Sequence, residues 1–147
     1  MRAWLIDTGP IVAYVDASDP FHRRVVEALD DFSGRLYTTA AVVTEAMHLV
    51  SEQTDGPDVL VDFLNTSGTE IRAAMESAGL RSAVTLMKKY RDTPMDFADA
   101  TLVLLADELG LLDMLTLDRR GFSPYRTGRG RAFRLVFPSR ANPSAGR

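Results

Sequence analysis

Short apolar runs alternate with segments of helical periodicity along almost the whole chain, and this alternation limits the fold more than any other feature. The run at 3–6 is apolar without interruption, which is typical of a strand buried on both faces of a sheet. Further strands are predicted at 36–39, 69–72, 114–117 and 132–137. Helical patterns separate the strands, at 10–15, 19–32, 40–52, 58–65, 77–91 and 96–109. The sequence therefore predicts an α/β protein, a three-layer α/β/α sandwich with a central parallel β-sheet.

Length and composition exclude several classes of protein. The 147 residues fit one domain, which we expect at 1–138, followed by a disordered tail at 139–147. Cys is absent, so disulfides and thiolate metal sites are excluded, and the only two His residues are too few for a three-His zinc site. The longest apolar runs have five residues, whereas a membrane helix needs about 20. We therefore expect a cytoplasmic protein with no membrane partner.

Four acidic residues interrupt apolar segments of the chain. Asp7 follows the first predicted strand, Asp118 follows the fourth, and Glu45 and Asp99 lie on apolar helices. Ligands of parallel sheets bind beyond the carboxyl ends of the strands, where Asp7 and Asp118 are expected. Buried carboxylates are costly unless they are paired or bind a metal, and Glu45 has no Lys or Arg within four residues. A shared Mg²⁺ or Mn²⁺ would remove this cost for all four.

Each of these acids also has an ordinary structural interpretation. Asp96 and Asp99 can form a capping box at a helix start, and Glu45 can face solvent on an amphipathic helix. Asp7 and Asp118 can be turn residues. Taken one at a time, these alternatives stay open. They do not explain why four acids fall together at strand ends and on the adjoining helices.

Four segments of the sequence together resemble one known family. They are Ile6-Asp7-Thr8-Gly9-Pro10, Thr44-Glu45, Met95-Asp96-Phe97-Ala98-Asp99-Ala100, and Leu115-Thr116-Leu117-Asp118 with Phe122 close behind. Their order and spacing are similar to those of PIN domains, in particular the VapC-type toxins of bacterial toxin–antitoxin pairs, from Trp4 to about Phe137. The resemblance implies a PIN-like fold and an endoribonuclease that depends on Mg²⁺ or Mn²⁺. It also implies a cognate antitoxin and a homodimer.

The resemblance assigns roles to individual residues. The acidic quartet, expected to be catalytic and to bind metal, consists of Asp7, Glu45, Asp99 and Asp118, with Asp7 and Asp99 as the first choice of direct ligands. Auxiliary positions are Asp96, Thr8 and Thr116. Asp96 is an extra carboxylate, and either threonine hydroxyl is a candidate to hold a water molecule or a phosphate oxygen.

The implied chemistry agrees with the residues present. Phosphodiester hydrolysis needs an activated water and charge stabilisation on the phosphoryl oxygens, and one or two divalent ions supply both. The sequence offers no Ser–His or Cys–His pair, so a covalent mechanism is not expected. The expected substrate is single-stranded or looped RNA, because unpaired bases can be stacked and read.

Charge is distributed unevenly along the chain. Residues 1–118 carry 9 basic and 20 acidic side chains, a net −11, whereas 119–147 carry 8 Arg and no acid, a net +8. The candidate RNA-binding residues are Arg119, Arg120, Arg126, Arg129 and Arg131. They are expected on a loop at the carboxyl edge of the sheet, where they would bind RNA phosphates or an acidic segment of an antitoxin. The alternative is a solvated loop that keeps an acidic protein soluble.

Other functions fit the sequence less well. A receiver domain needs a Lys near the last strand, but the only lysines are Lys88 and Lys89. A phosphatase of the haloacid dehalogenase type needs a second Asp two residues after Asp7, where this chain has Gly9. The remaining alternative is a catalytically weak or inactive PIN-like RNA-binding or regulatory domain. Such a domain is expected to have lost one of the four acids, and here all four are present.

Overall fold

The computed structural model describes residues 2–73 and 75–136, and within them five strands form one sheet. The strands are β1 (Ala3–Ile6), β2 (Arg35–Thr39), β3 (Glu70–Arg72), β4 (Asp113–Leu115) and β5 (Arg134–Val136). All neighbouring strands pair in parallel, in the order β3-β2-β1-β4-β5. In the central strand β1, Trp4, Leu5 and Ile6 are all buried. The prediction of a strand covered on both faces is confirmed.

Seven helices cover the sheet in the described part of the chain. They are α1 (Thr8–Val15), α2 (His22–Asp30), α3 (Ala40–Val50), α4 (Gly56–Ser67), α5 (Ser77–Lys89), α6 (Phe97–Leu109) and α7 (Arg119–Phe122). α1 packs on α2, α3 and α4, and α5 packs on α6. Because parallel crossovers are right-handed and the strand order reverses after β3, these two groups lie on opposite faces. This is the predicted three-layer sandwich. None of the described helices has the length and apolarity needed to cross a membrane.

Several predicted boundaries differ from the structure. β4 ends at Leu115 rather than at 117, because Thr116 turns its buried side chain toward the end of β1 and the chain bends at Leu117. α7 occupies 119–122, where the sequence predicts a loop. The helix predicted at 19–32 is confined to 22–30. Position 137 of the predicted fifth strand, the domain limit at 138 and the predicted tail at 139–147 lie outside the described residues.

Three helices begin at the carboxyl edge of the sheet, and each has a side-chain cap. Asp7 caps α1 and Thr39 caps α3. Asp96 caps α6 in a reciprocal capping box with Asp99. A helix N-terminus carries free N–H groups and a partial positive charge. The fold therefore gathers three such termini at one edge, with acidic residues on or beside them.

Candidate active site

Asp7 is buried at the end of β1, with both carboxylate oxygens hydrogen-bonded. Its side chain is 7% exposed. The Thr8 N–H donates to Oδ1 at 2.8 Å, and the Thr116 hydroxyl donates to Oδ2 at 3.1 Å. Burial raises the pKa of Asp7 to about 6, although these two hydrogen bonds oppose the shift. The negative charges of Glu45 and Asp96 raise this pKa further.

Glu45 joins Asp7 through the first residue of α1. The Thr8 hydroxyl donates to Glu45 Oε1 at 2.6 Å, so one residue binds Asp7 through its backbone and Glu45 through its side chain. Glu45 is half-buried rather than fully solvated. The Thr116 hydroxyl also accepts a hydrogen bond from the Asp118 N–H at 2.9 Å. Both threonine hydroxyls donate to carboxylates in this structure, and their contact with a water molecule or a phosphate oxygen stays a prediction.

Asp99 approaches the same site from the first turn of α6. Its Oδ2 accepts from the Asp96 N–H at 3.3 Å, while the Asp99 N–H donates to Asp96 Oδ1 at 2.8 Å. Burial raises the pKa of Asp99 to about 8, with the charges of Asp7, Asp96 and Glu45 adding to the shift. The two reciprocal hydrogen bonds between Asp96 and Asp99 confirm the capping interpretation of Asp96. In this capping arrangement the Asp99 carboxylate also lies near the charges of Asp7 and Glu45.

Tyr125 belongs to this site, although the sequence analysis did not identify it. Its side chain is 1% exposed, and its hydroxyl lies 3.5 Å from Asp99 Oδ2. Burial raises the pKa of Tyr125, and the charges of Asp99, Asp118 and Asp96 raise it further. No local sequence pattern indicates this position, because the contact joins residues that are 26 positions apart, with β4 and α7 between them.

Asp118 lies at the rim of the site and not at the end of β4 as predicted. Its Oδ1 accepts from the Gly121 N–H at 2.9 Å, which places the carboxylate over the first turn of α7, and the side chain is exposed. A Cβ at Gly121 would lie 2.1 Å from Asp118 Oδ2. Only glycine leaves room for this position of the carboxylate.

The candidate RNA-binding arginines occupy two different places. Arg119 begins α7, and the side chains of Arg120, Arg126, Arg129 and Arg131 are exposed. The Arg126 guanidinium donates to the carbonyl oxygens of Ser123 and Tyr125. The Gly128 N–H donates to the Asp107 carboxylate at 2.8 and 2.9 Å, so the turn that contains Arg129 lies beside the C-terminal half of α6. Asp107 is about 12 Å of helix rise from Asp99.

The donor set suits a hard divalent cation. Asp7, Glu45 and Asp99 offer carboxylate oxygens. The charge of Glu45 raises the pKa of Asp7, the charges of Asp7 and Glu45 raise the pKa of Asp99, and a divalent ion would relieve this repulsion. Among the described residues, no three acidic or imidazole side chains already stand close enough to share an ion. Mg²⁺ does not require such a cage, because it keeps several waters and binds through one or two carboxylates.

Comparisons with known proteins agree on one family. A model of the PIN domain family matches residues 4–126. Ribonuclease VapC26 of Mycobacterium tuberculosis is 34% identical over 134 residues, which cover 90% of this chain and 98% of that protein. The residues that the family model matches include all four predicted acids.

Solved structures with the same fold are more distant in sequence. M. tuberculosis VapC20, described as a toxin that cleaves the sarcin–ricin loop, aligns with a TM-score of 0.65 and 15% identity over 77% of this chain and 87% of that one. A toxin–antitoxin complex from Klebsiella pneumoniae aligns with a TM-score of 0.63 and 18% identity over 92% and 98% of the two chains. At these identities the likeness establishes the fold.

Proposed function

This chain belongs to the PIN domain family, and from that premise we propose that it is a divalent-metal-dependent endoribonuclease, the toxin of a type II toxin–antitoxin pair. One observation carries the proposal: Asp7 directly after β1, Glu45 on α3 and Asp99 on α6 lie at one edge of the sheet, where Thr8 hydrogen-bonds both Asp7 and Glu45 and the charges of Asp7 and Glu45 raise the pKa of Asp99. A ribonuclease relative over nine-tenths of the chain supports the same reading.

Asp7 and Asp99 are the proposed direct ligands of Mg²⁺ or Mn²⁺, with Glu45 and Asp118 completing the site through water or a second ion. When bound, such an ion supplies positive charge for the phosphoryl oxygens and lowers the pKa of an attacking water. Thr8 and Thr116 fix the carboxylates before substrate arrives, because each donates a hydrogen bond to one of them. This preorganisation lowers the cost of assembling the site during the reaction.

RNA must approach a carboxylate-rich edge, and the proposed substrate is single-stranded or looped RNA. The helix N-termini of α1, α3 and α6 supply partial positive charge there. Arg120 is exposed on α7 close behind Asp118, which supports a contact with phosphates at the rim. Arg129 and Arg131 would extend the path along α6.

The proposed partners are a cognate antitoxin and a second copy of the chain. The Klebsiella pneumoniae structure with the same fold is a toxin–antitoxin complex, which supports the first. The alternative function, a catalytically weak PIN-like RNA-binding domain, predicts RNA binding without cleavage. The intact carboxylate cluster favours the enzyme, because such a cluster repels RNA unless a cation is present.

Incubation of the purified protein with an RNA hairpin and with the fully paired duplex of the same sequence tests the proposal. Cleavage should occur in the loop, stop in EDTA and return with Mg²⁺ or Mn²⁺. RNA binding without cleavage under all these conditions would support the alternative function, and robust cleavage in EDTA would exclude the proposed mechanism.

A further inference from the structure

Ring packing and backbone hydrogen bonds hold Tyr125 in position. Its ring packs edge-on against Phe122 at 5.1 Å and Tyr90 at 5.0 Å between centroids. Its N–H donates to the Phe122 carbonyl oxygen, and the N–H of the next residue, Arg126, donates to the Tyr90 hydroxyl at 3.1 Å. The Tyr125 hydroxyl is therefore positioned by the packing of the aromatic cluster and the turn.

The Asp99 carboxylate has longer hydrogen-bond contacts than the Asp7 carboxylate. The Asp7 carboxylate accepts two hydrogen bonds at 2.8 and 3.1 Å, one on each oxygen. The contacts described for the Asp99 carboxylate are both long and both on Oδ2, at 3.3 Å from the Asp96 N–H and 3.5 Å from the Tyr125 hydroxyl. A neutral phenol donates to a carboxylate, and the ordinary tyrosine pKa of about 10 keeps it neutral at pH 7.

Tyr125 also connects Asp99 to α7, the helix that Asp118 precedes. Asp118 begins the turn of α7 by accepting the Gly121 N–H, Phe122 ends α7, and Tyr125 packs on Phe122. A displacement of α7 would therefore move both the Asp118 carboxylate and the donor to Asp99.

We infer that Tyr125 is a positioning residue, which holds the Asp99 carboxylate in the orientation that binds the divalent ion by donating a hydrogen bond to Oδ2. The inference rests on the proposed function for the role of the ion. The hydrogen bond itself is independent of that role. Residues that orient metal ligands in this way typically contribute about 10- to 100-fold to metal affinity.

Tyr125→Phe tests the inference, with Tyr90→Phe as a matched control. Both variants keep the aromatic packing, and the Tyr90 hydroxyl contacts the Arg126 N–H rather than Asp99. In metal-free protein the carboxyl ¹³C resonance of Asp99 should shift in Tyr125→Phe and stay unchanged in Tyr90→Phe. Mn²⁺ affinity, measured by calorimetry, should fall about tenfold in Tyr125→Phe only.

An Asp99 resonance that does not respond to Tyr125→Phe would overturn the inference, whatever the activity. So would wild-type Mn²⁺ affinity in Tyr125→Phe, or equal loss in Tyr90→Phe, which would indicate a general packing effect. A wild-type protein that binds no Mn²⁺ would contradict the proposed function and the role of the ion in this inference. Failure of the proposed function can be told from failure of the inference, because the Asp99 resonance would then still shift in Tyr125→Phe and not in Tyr90→Phe.

Discussion

Asp7 and Asp99 face the same site but are stabilised differently. Asp7 is the more deeply buried, yet its pKa rises only to about 6, whereas the pKa of half-buried Asp99 rises to about 8. Burial raises both values, but two short hydrogen bonds favour the charged form of Asp7, while Asp99 has weaker donors and faces three other acids. The comparison shows that neighbouring charges and hydrogen-bond donors, and not depth of burial alone, set which carboxylate keeps its proton.

The largest expected effect comes from removing the negative charge of Asp7 or of Asp99. Asp7→Asn or Asp99→Asn should lower RNA cleavage by at least about a hundredfold, because divalent ions contribute several kcal/mol to such reactions. The fold should stay intact or become more stable, since repulsion among the acids is relieved. Asp107→Asn is the matched control, because Asp107 lies on α6 but contacts Gly128. Full activity in Asp99→Asn, measured on purified protein, would remove Asp99 from the site.

Thr116→Val should reduce the difference between Asp7 and Asp99, because it removes one of the two hydrogen-bond donors to Asp7. The change keeps the side-chain shape but removes the hydroxyl that donates to Asp7 Oδ2 and accepts from the Asp118 N–H. We expect about tenfold weaker Mg²⁺ activation and a loss of about 1–2 kcal/mol in the free energy of unfolding. Thr127→Val, at a buried threonine that accepts from the Arg131 N–H, is the control. Equal Mg²⁺ activation in the two variants would show that the Thr116 hydroxyl does not support the site.

Stability of the metal-free protein should fall as pH rises from about 4 to about 8. Both folded-state pKa values lie above the usual 3.8, so the folded protein binds more protons than the unfolded chain in this window. Thermal unfolding in EDTA at several pH values measures the effect. Asp7→Asn should remove one contribution below about pH 6, whereas Asp99→Asn should remove a contribution that extends over the whole window and should flatten the profile between about 6 and 8. Stability that is flat or rises across the upper range would show that Asp99 keeps an ordinary pKa.

The smallest expected effect concerns the arginines beyond the acids. Arg129→Gln together with Arg131→Gln should make the salt dependence of RNA binding shallower by about one to one and a half units, at roughly 0.7 per phosphate contact. Ca²⁺ in place of Mg²⁺ would slow cleavage during the measurement. Arg134→Gln is the control, because its guanidinium pairs with Asp113. An unchanged slope in the double variant would leave the solvated-loop interpretation.

The sequence predicted best what depends on local periodicity. The apolar run before Asp7 and the helical spacing around Asp99 are enough to place both acids at one edge of a parallel sheet. The orientation of Asp118 is harder to predict, because it depends on α7, a helix of four residues that is too short to show a period. The sequence does not predict the role of Tyr125, because the contact of this residue with Asp99 depends on the packing of Phe122 and Tyr90 rather than on spacing.

Calorimetric titration of the metal-free protein with Mn²⁺ at pH 7, in two buffers of different ionisation enthalpy, tests the central claim most directly. Burial and the neighbouring charges raise the pKa of Asp99 to about 8, so binding of the ion to Asp7 and Asp99 at pH 7 should displace protons. We predict saturable binding with release of about one proton, both lost in Asp99→Asn and retained in Asp107→Asn. Absence of binding, or identical binding and proton release in Asp99→Asn, would contradict the account.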